Sequence, residues 1–421
     1  MKNTKAILLA LFAAGVTVSA QTTEGEMMAN INKCGSNYFA YSPEIKPYTA
    51  APEGFVPFYI SHYGRHGSRY HYSADDFKKM YGIMQRADSA EALTVLGKSV
   101  KERFGIIYKD GELKAGDLTQ KGAEQHRGIA ERMVKNYPEV FANGAKIDAK
   151  SSTSVRVVLS MGAFCQQLKA MNPSLNITNE ASKRVMNYIN FEDEKLKNNL
   201  ENEEWKRRFD EMHQKLLHPE RMMNALFSDS VYVQKNIDRV AFVRKFYELN
   251  SSLQGMDSLN VNFNDVWTKE ELFENWRLQN MWWYGAYGSC PVTGASSPQM
   301  AKNLLKNILS EAKAAVEGGG ISASLRFGHD TGLLPLAGLL QLDNCSAKVE
   351  DLESLHTHWT DFKIIPMGGN LQIIFYKNKE NKVLLKVLLN ENEVRLPLKS
   401  DLAPYYEWSE FEKYYGIVVS K

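Results

Sequence analysis

Three times along this 421-residue chain, a short run with strand character ends in a polar or glycine-containing turn, and a helix follows. Residues 55–61 are rich in aromatic and β-branched side chains and lead directly into Arg65-His66-Gly67-Ser68-Arg69. Residues 145–150 read as a short strand. Ser151, Ser152, Thr153 and Ser154 then offer N-caps for a helix from Val155 towards Met171, which Asn172-Pro173 stops. Residues 321–327 regain strand character, and Gly328-His329-Asp330-Thr331 separates them from an apolar helix over 333–342. Strands that alternate with helices in this way build an α/β sheet. Loops at the carboxyl ends of such strands converge on one crevice.

The other segments fit that frame. Residues 75–105 and 119–136 read as helices, the second capped by Thr119. An amphipathic helix over 300–316 ends at Gly318-Gly319-Gly320. Strands are expected at 370–376 and 383–389, paired as a hairpin with Asn378 to Asn381 in the turn. From about 180 to 285 the chain is charged, helix-favouring and poor in strand signals, with Trp and Met scattered through it. Trp282, Trp283 and Tyr284 read there as helical core. The expected organisation is a discontinuous α/β domain over 21–175 and 300–421, with a mostly helical insertion over 176–299.

The first twenty residues have the layout of a cleavable secretory signal. Lys2 and Lys5 form a basic start, residues 6–18 are apolar, and Val18-Ser19-Ala20 resembles a cleavage site. The expected location is the periplasm or the medium, and no later segment is apolar enough to cross a membrane. Cleavage removes two lysines and no acid, so the formal charge of +2 becomes 2 − 2 = 0. That balance favours neither nucleic acid nor a membrane surface as partner. Any anionic ligand must be held by a local cluster. Cys34, Cys165, Cys290 and Cys345 lack the close spacing of a zinc site, and in an oxidising compartment they permit two disulfides, with buried free thiols as the alternative.

The three turns share one chemistry. Phosphoryl transfer needs positive charge around the transferred group, an in-line nucleophile and a proton donor for the leaving oxygen. Arg65, Arg69 and Arg156 supply planar, permanently charged donors. His66 supplies a nucleophile, because neighbouring guanidinium groups disfavour its protonation. Asp330 can protonate the leaving group, or alternatively cap its helix, and His329 adds a phosphate contact. Helix N-termini at the second and third turns favour an anion.

These residues resemble a known family. Arg65 to Arg69 is similar to the RHGxRxP signature of the histidine acid phosphatases, and His329-Asp330 resembles their HD motif. Leu118-Thr119-Gln120-Lys121-Gly122-Ala123-Glu124-Gln125 looks like their LTxxGxxQ stretch, and Ser151 to Arg156 like the segment with the third arginine. The contexts at 327–336 and 387–397 look most like the multiple inositol polyphosphate phosphatases. Two positions depart from the pattern. His71 stands where the signature ends in proline. His-Asp-Thr stands where the inositol polyphosphate branch has His-Ala-Glu, so the acid is expected at Asp330, as in bacterial and fungal phytases.

The resemblance implies a phosphoglycerate mutase-like fold: a mixed sheet flanked by helices, with a smaller helical domain. It implies phosphomonoester hydrolysis through a phosphohistidine on His66, with no cofactor and no metal, the arginines taking the role magnesium has elsewhere. The substrate expected is a polyanionic small molecule, phytate or another inositol phosphate foremost. The alternatives are a phosphatase for sugar phosphates or nucleotides, a phosphomutase, or a non-catalytic phospho-ligand-binding protein. Lys183, Arg184 and His71 are candidate outer contacts, with solvated or packing roles as their alternatives. His62 is weighed in the same way. His356-Thr-His358 has strand-like metal spacing without a partner cluster, and a structural role is expected there.

Overall fold

A computed structural model describes residues 22–41, 45–190 and 198–420. The expected leader over 1–20 lies outside the described residues. Among the described residues, no helix is long and apolar enough to cross a membrane.

The frame is one mixed sheet of eight strands. These are β1 (Val56–Arg65), β2 (Lys146–Ser151), β3 (Asn176–Glu180), β4 (Ala323–Gly328), β5 (Asn370–Lys377), β6 (Val383–Leu389), β7 (Asn392–Val394) and β8 (Tyr406–Glu407). Their order is β3-β2-β4-β1-β5-β6-β7, with β8 on β6. The first four strands in that order run parallel. The β5–β6 hairpin extends the sheet antiparallel from β1. Because β1 lies between β4 and β5, its last seven residues are buried, and no alternation survives there.

Helices cover both faces. In chain order we label α1 (Ala74–Ser89), α2 (Val95–Gly111), α3 (Gln120–Asn136), α4 (Val155–Met171), α5 (Glu203–Leu216), α6 (Arg239–Ser252), α7 (Lys269–Tyr287), α8 (Lys302–Val316), α9 (Asp330–Leu339) and α10 (Trp408–Ser420). The expected helix over 75–105 is two helices, α1 and α2, broken where Glu91 takes a positive φ and Thr94 caps the second. The α3 and α4 side packs Ile129, Met133, Val157, Phe164 and Leu168 against Ile60, Leu325 and Ile374 of the sheet. The opposite face is covered by α7, α8, α9 and α10 through Leu278, Leu305, Leu336 and Phe411. A third core lies away from the sheet, where α1 and α2 pool Phe77, Met84 and Phe104 with Phe246, Trp267 and Trp276 of the helical stretch.

The cysteines do not meet as expected. All four are buried free thiols. Cys34 and Cys165 belong to different cores, and Cys290 and Cys345 sit unbonded in a third. Burial pushes the thiols of Cys34, Cys165 and Cys345 up to about 12, so they behave as apolar filling. His356 and His358 lie on a single helical turn, Leu355–His358, rather than a strand.

Candidate active site

Backbone pairing brings the three turns together. Arg65 of β1 stands opposite Gly328 of β4, and Ser151 of β2 opposite Phe327. Beyond the paired residues, His66 N donates to Gly328 O and Ser152 N to Phe327 O, each at 3.0 Å. A fourth segment closes the other side, where Arg65 N donates to Gly369 O at 2.8 Å and Gly368 N to His66 O at 3.0 Å. Arg65 and Gly328, 263 positions apart in sequence, thus become lateral neighbours at one sheet edge, as expected for carboxyl ends of parallel strands.

The stretch 118–125 explains itself here. Thr119 donates its N–H and its hydroxyl to Ser68 O, at 2.9 and 3.0 Å. Gln125 Oε1 accepts from Ser68 N at 2.8 Å. Between them Gly122 meets the loop so closely that a Cβ would stand 2.2 Å from Ser68 O, and one on Gly67 would stand 2.3 Å from Gly122 O. The start of α3 therefore splints the loop that carries His66. At the third turn, Gly328 and Gly332 leave room for Tyr63, whose hydroxyl would lie 2.1 and 2.0 Å from a Cβ at either position. That hydroxyl accepts from His329 N at 3.2 Å and donates to Ile189 O at 3.0 Å, which fixes the start of α9.

His66 is buried. Its Nδ1 lies 2.9 Å from Gly67 O. A carbonyl only accepts, so Nδ1 carries the proton and Nε2 keeps its lone pair. Burial, and then Arg65, Arg69, His329 and Arg156, hold its pKa well below the usual histidine range. The ring meets that of His329 edge-on at 5.6 Å. His329 Nε2 lies 3.0 Å from Ser152 Oγ, and burial lowers its pKa to about 4.

Arg65 is fully buried. Its Nη1 donates to Asn37 O and Ile365 O, and its Nη2 lies 2.8 Å from Asp330 Oδ2. Arg69 donates Nη1–H to Tyr70 O at 3.0 Å and lies 5.1 Å from the centre of the Tyr38 ring. Arg156 stands in the first turn of α4, whose N-cap Ser154 makes no side-chain bond to it. The Nε of Arg65, of Arg69 and of Arg156 are each buried without an acceptor. Burial, and then the neighbouring guanidinium groups, lower the pKa of Arg65 and of Arg156, and three such cations together are an unfavourable cluster unless an anion completes it.

Asp330 occupies the first turn of α9, and His329 takes the N-cap place. Its Oδ1 accepts from Thr331 N at 2.9 Å, and its Oδ2 accepts from Asn37 Nδ2 at 3.1 Å. Asn37 was not foreseen. It sits on a 3-10 segment, Ile31–Tyr38, with no periodic signal to announce it.

One outer candidate is corrected. His71 does not face the crevice. It is buried behind Tyr38, with Nδ1 at 3.1 Å from the Tyr38 hydroxyl and Nε2 at 3.2 Å from Asp76 Oδ2. It supports the ring beneath Arg69. His71, Asp76 and Glu248 form a group with metal-like spacing, but Lys245 Nζ already bonds Asp76 at 3.0 Å and Glu248 at 2.6 Å. Lys183 and Arg184 are exposed, and Arg184 is paired with Glu180 at 2.6 Å. His62 is buried between Phe164 and Phe327. Trp283 and Tyr284 belong to the core as expected and Trp282 packs against it; Trp282 and Trp283 also line a cleft of about 680 Å³ that includes Arg69 and Asp330 and residues of α5, α6 and α7.

The sheet order and a histidine framed by arginines at its carboxyl edge define a histidine-dependent phosphatase scaffold. The family model of the histidine phosphatase superfamily (branch 2) matches residues 64–390, and the chain belongs to that family. It is a phosphomonoester hydrolase. The fold is similar to that of a Bifidobacterium longum multiple inositol polyphosphate phosphatase in complex with inositol hexasulfate, at 17% identity and TM-score 0.71, over 90% of this chain and 97% of that one. It is also similar to a D. castellii phytase, at 16% identity and TM-score 0.66, over 93% and 85%. A Hafnia alvei phytase in complex with tartrate matches at 15% identity and TM-score 0.54, over 88% and 98%.

Proposed function

We propose that this protein is an exported phosphatase that hydrolyses phosphomonoesters, inositol phosphates foremost, through a phosphohistidine on His66. The observation that carries this reading is the set of buried guanidinium nitrogens of Arg65, Arg69 and Arg156 without acceptors, gathered around a histidine that stays neutral. The arginines orient the phosphoryl group and neutralise its equatorial oxygens. His66 Nε2 attacks phosphorus as the P–O bond to the leaving group breaks, and Asp330 delivers its proton to that oxygen. Water then attacks the phosphohistidine, its proton passes to Asp330, and the N–P bond breaks to release phosphate. His329, pKa lowered to about 4, contacts the phosphoryl group as a neutral donor above that pH. The inositol phosphate preference is supported by relatives whose names specify phytase or inositol polyphosphate phosphatase. Export is supported by the composition of residues 1–20.

His66→Ala is the direct test. Phosphate release is expected to fall by roughly three orders of magnitude or more, and labelled phosphate is expected to be trapped on the wild-type chain after acid-free quenching. Parental turnover in the variant would overturn the mechanism.

A further inference from the structure

The cleft beside Asp330 is also lined by a group of polar side chains from α5, α6 and α7. Arg244 of α6 donates to Asn275 O at 2.8 Å and lies 3.3 Å from Gln279 Oε1 of α7. Its guanidinium stands 5.3 Å from the centre of the Tyr247 ring. These partners are neutral; among the described residues no carboxylate forms an ion pair with it, and Glu248 of the same cleft acts on it only through its charge. His213 of α5 lies close enough for Arg244 to lower its pKa, after burial, and its Nε2 is buried without a partner. Trp283 Nε1, which can only donate, is likewise buried without a partner. Gln279 and Trp283 are one turn apart on α7 and so share a face. All four residues line the same cleft as Arg69 and Asp330.

The acids of the cleft are already engaged. Asp238 caps α6 through Ala241 N at 3.0 Å, Glu248 holds Lys245 at 2.6 Å, and Asp330 faces Arg65 at 2.8 Å. Arg69 and Arg244 are the lysine or arginine residues of the lining. The lining also includes Tyr38, Tyr72, Phe209 and Trp282, surfaces that suit an uncharged carbon scaffold rather than further phosphates.

We infer that Arg244, with His213, Gln279 and Trp283, forms a second anion seat that holds one further phosphate of the substrate while His66 attacks the first. The preferred ligand is then a bisphosphorylated small molecule on a compact, neutral scaffold. This inference rests on the phosphatase reading of His66 and adds the group that selects among its substrates. A guanidinium–phosphate bond in a partly buried cleft is worth enough for about 10- to 100-fold in affinity.

The test compares myo-inositol 1,4-bisphosphate with myo-inositol 1-phosphate. Arg244→Gln should lower the ratio of kcat/KM for the bisphosphate to that for the monophosphate by at least about tenfold, carried by KM. Arg244→Lys should restore part of the ratio. Trp283→Phe, which keeps the ring and loses the donor, should lower it less. Calorimetry in a His66→Ala background reads the seat without turnover: Arg244→Gln should weaken bisphosphate binding about tenfold more than it weakens binding of inorganic phosphate. A ratio that stays within about twofold, or equal losses for the bisphosphate and inorganic phosphate, would overturn the seat. If the wild-type chain releases no phosphate from either ester while calorimetry still shows the Arg244 dependence, the catalytic reading fails and the seat stands.

Discussion

Asp330 carries two opposed demands. Burial raises the pKa of its carboxyl, but Arg65, the Asn37 hydrogen bond, His329 and Arg69 together reverse that and hold it below the usual carboxylate range. In the free protein it is therefore an anion, whereas a proton donor must be protonated. Substrate resolves the conflict. A phosphate on Arg65 and Arg69 cancels the charge that lowers Asp330 and adds negative charge beside it, so its pKa rises in the complex. The basic limb of the kcat profile should then lie at higher pH than the free-protein value implies. His66 works in the opposite direction: its lowered pKa keeps Nε2 unprotonated below the pH at which an ordinary histidine becomes mostly charged. Activity should persist there, with no loss centred near 6.5. For Asp330→Asn, phosphoenzyme formation should slow by about 100-fold or more with an alkyl phosphate. It should slow far less with p-nitrophenyl phosphate, whose leaving group needs little proton. Rapid-quench kinetics on both substrates decide the matter, and equal slowing would remove Asp330 from the acid role.

At the level of elements, the segment Ile31–Tyr38 matters more than its length suggests. It brings Asn37 to Asp330 and Tyr38 to Arg69, and it is pinned from across the molecule by Asp361. The Asp361 carboxylate accepts from Ser36 Oγ, from Trp276 Nε1 at 3.0 Å and from Phe362 N at 2.7 Å. Ser36 adopts φ 54°, which the bond to Asp361 helps to hold. Asp361→Ala strands those donors in a buried site and should cost about 3 kcal/mol in urea unfolding. It should also raise KM as Tyr38 loosens beneath Arg69. Asp361→Asn, which keeps an acceptor, should cost less, and an unchanged urea midpoint in the alanine variant would show that the segment is held otherwise. Such a segment was not legible beforehand. Ser36 and its partner Asp361 lie 325 residues apart, and nothing periodic marks the segment. The strands and helices that bear His66, Arg156 and His329 were legible, because glycine, serine and threonine punctuate each strand-to-helix turn. Arg244 and His213 were not, because they sit on separate helices, α6 and α5, and the cleft-facing residues emerge only from how those helices pack with α7.

For the whole molecule, acid sets the limit on stability. His62 and His126 are buried on either side of Phe164 and Phe327, and burial lowers their pKa to about 3 and about 4. Unfolded, each titrates near 6.5. Below that pH the unfolded chain binds protons that the folded one refuses, so folding loses about 1.4 kcal/mol per pH unit for each histidine. The loss starts near pH 6.5 and ends near 3 for His62 and near 4 for His126. Asp361 opposes it: its folded pKa is raised to about 6, so it adds stability as pH falls from there towards 3.8. One histidine is thereby offset through the middle of the acid range and the other is not. Replacing His126 by Phe, whose ring suits the contacts with Phe164 and Phe327, should reduce the stability lost between pH 7 and pH 5 by about 2 kcal/mol. Urea unfolding at the two pH values measures this directly. An unaltered loss in the variant would mean that His126 already carries a proton in the folded state, which a ring enclosed by two phenylalanines should not allow.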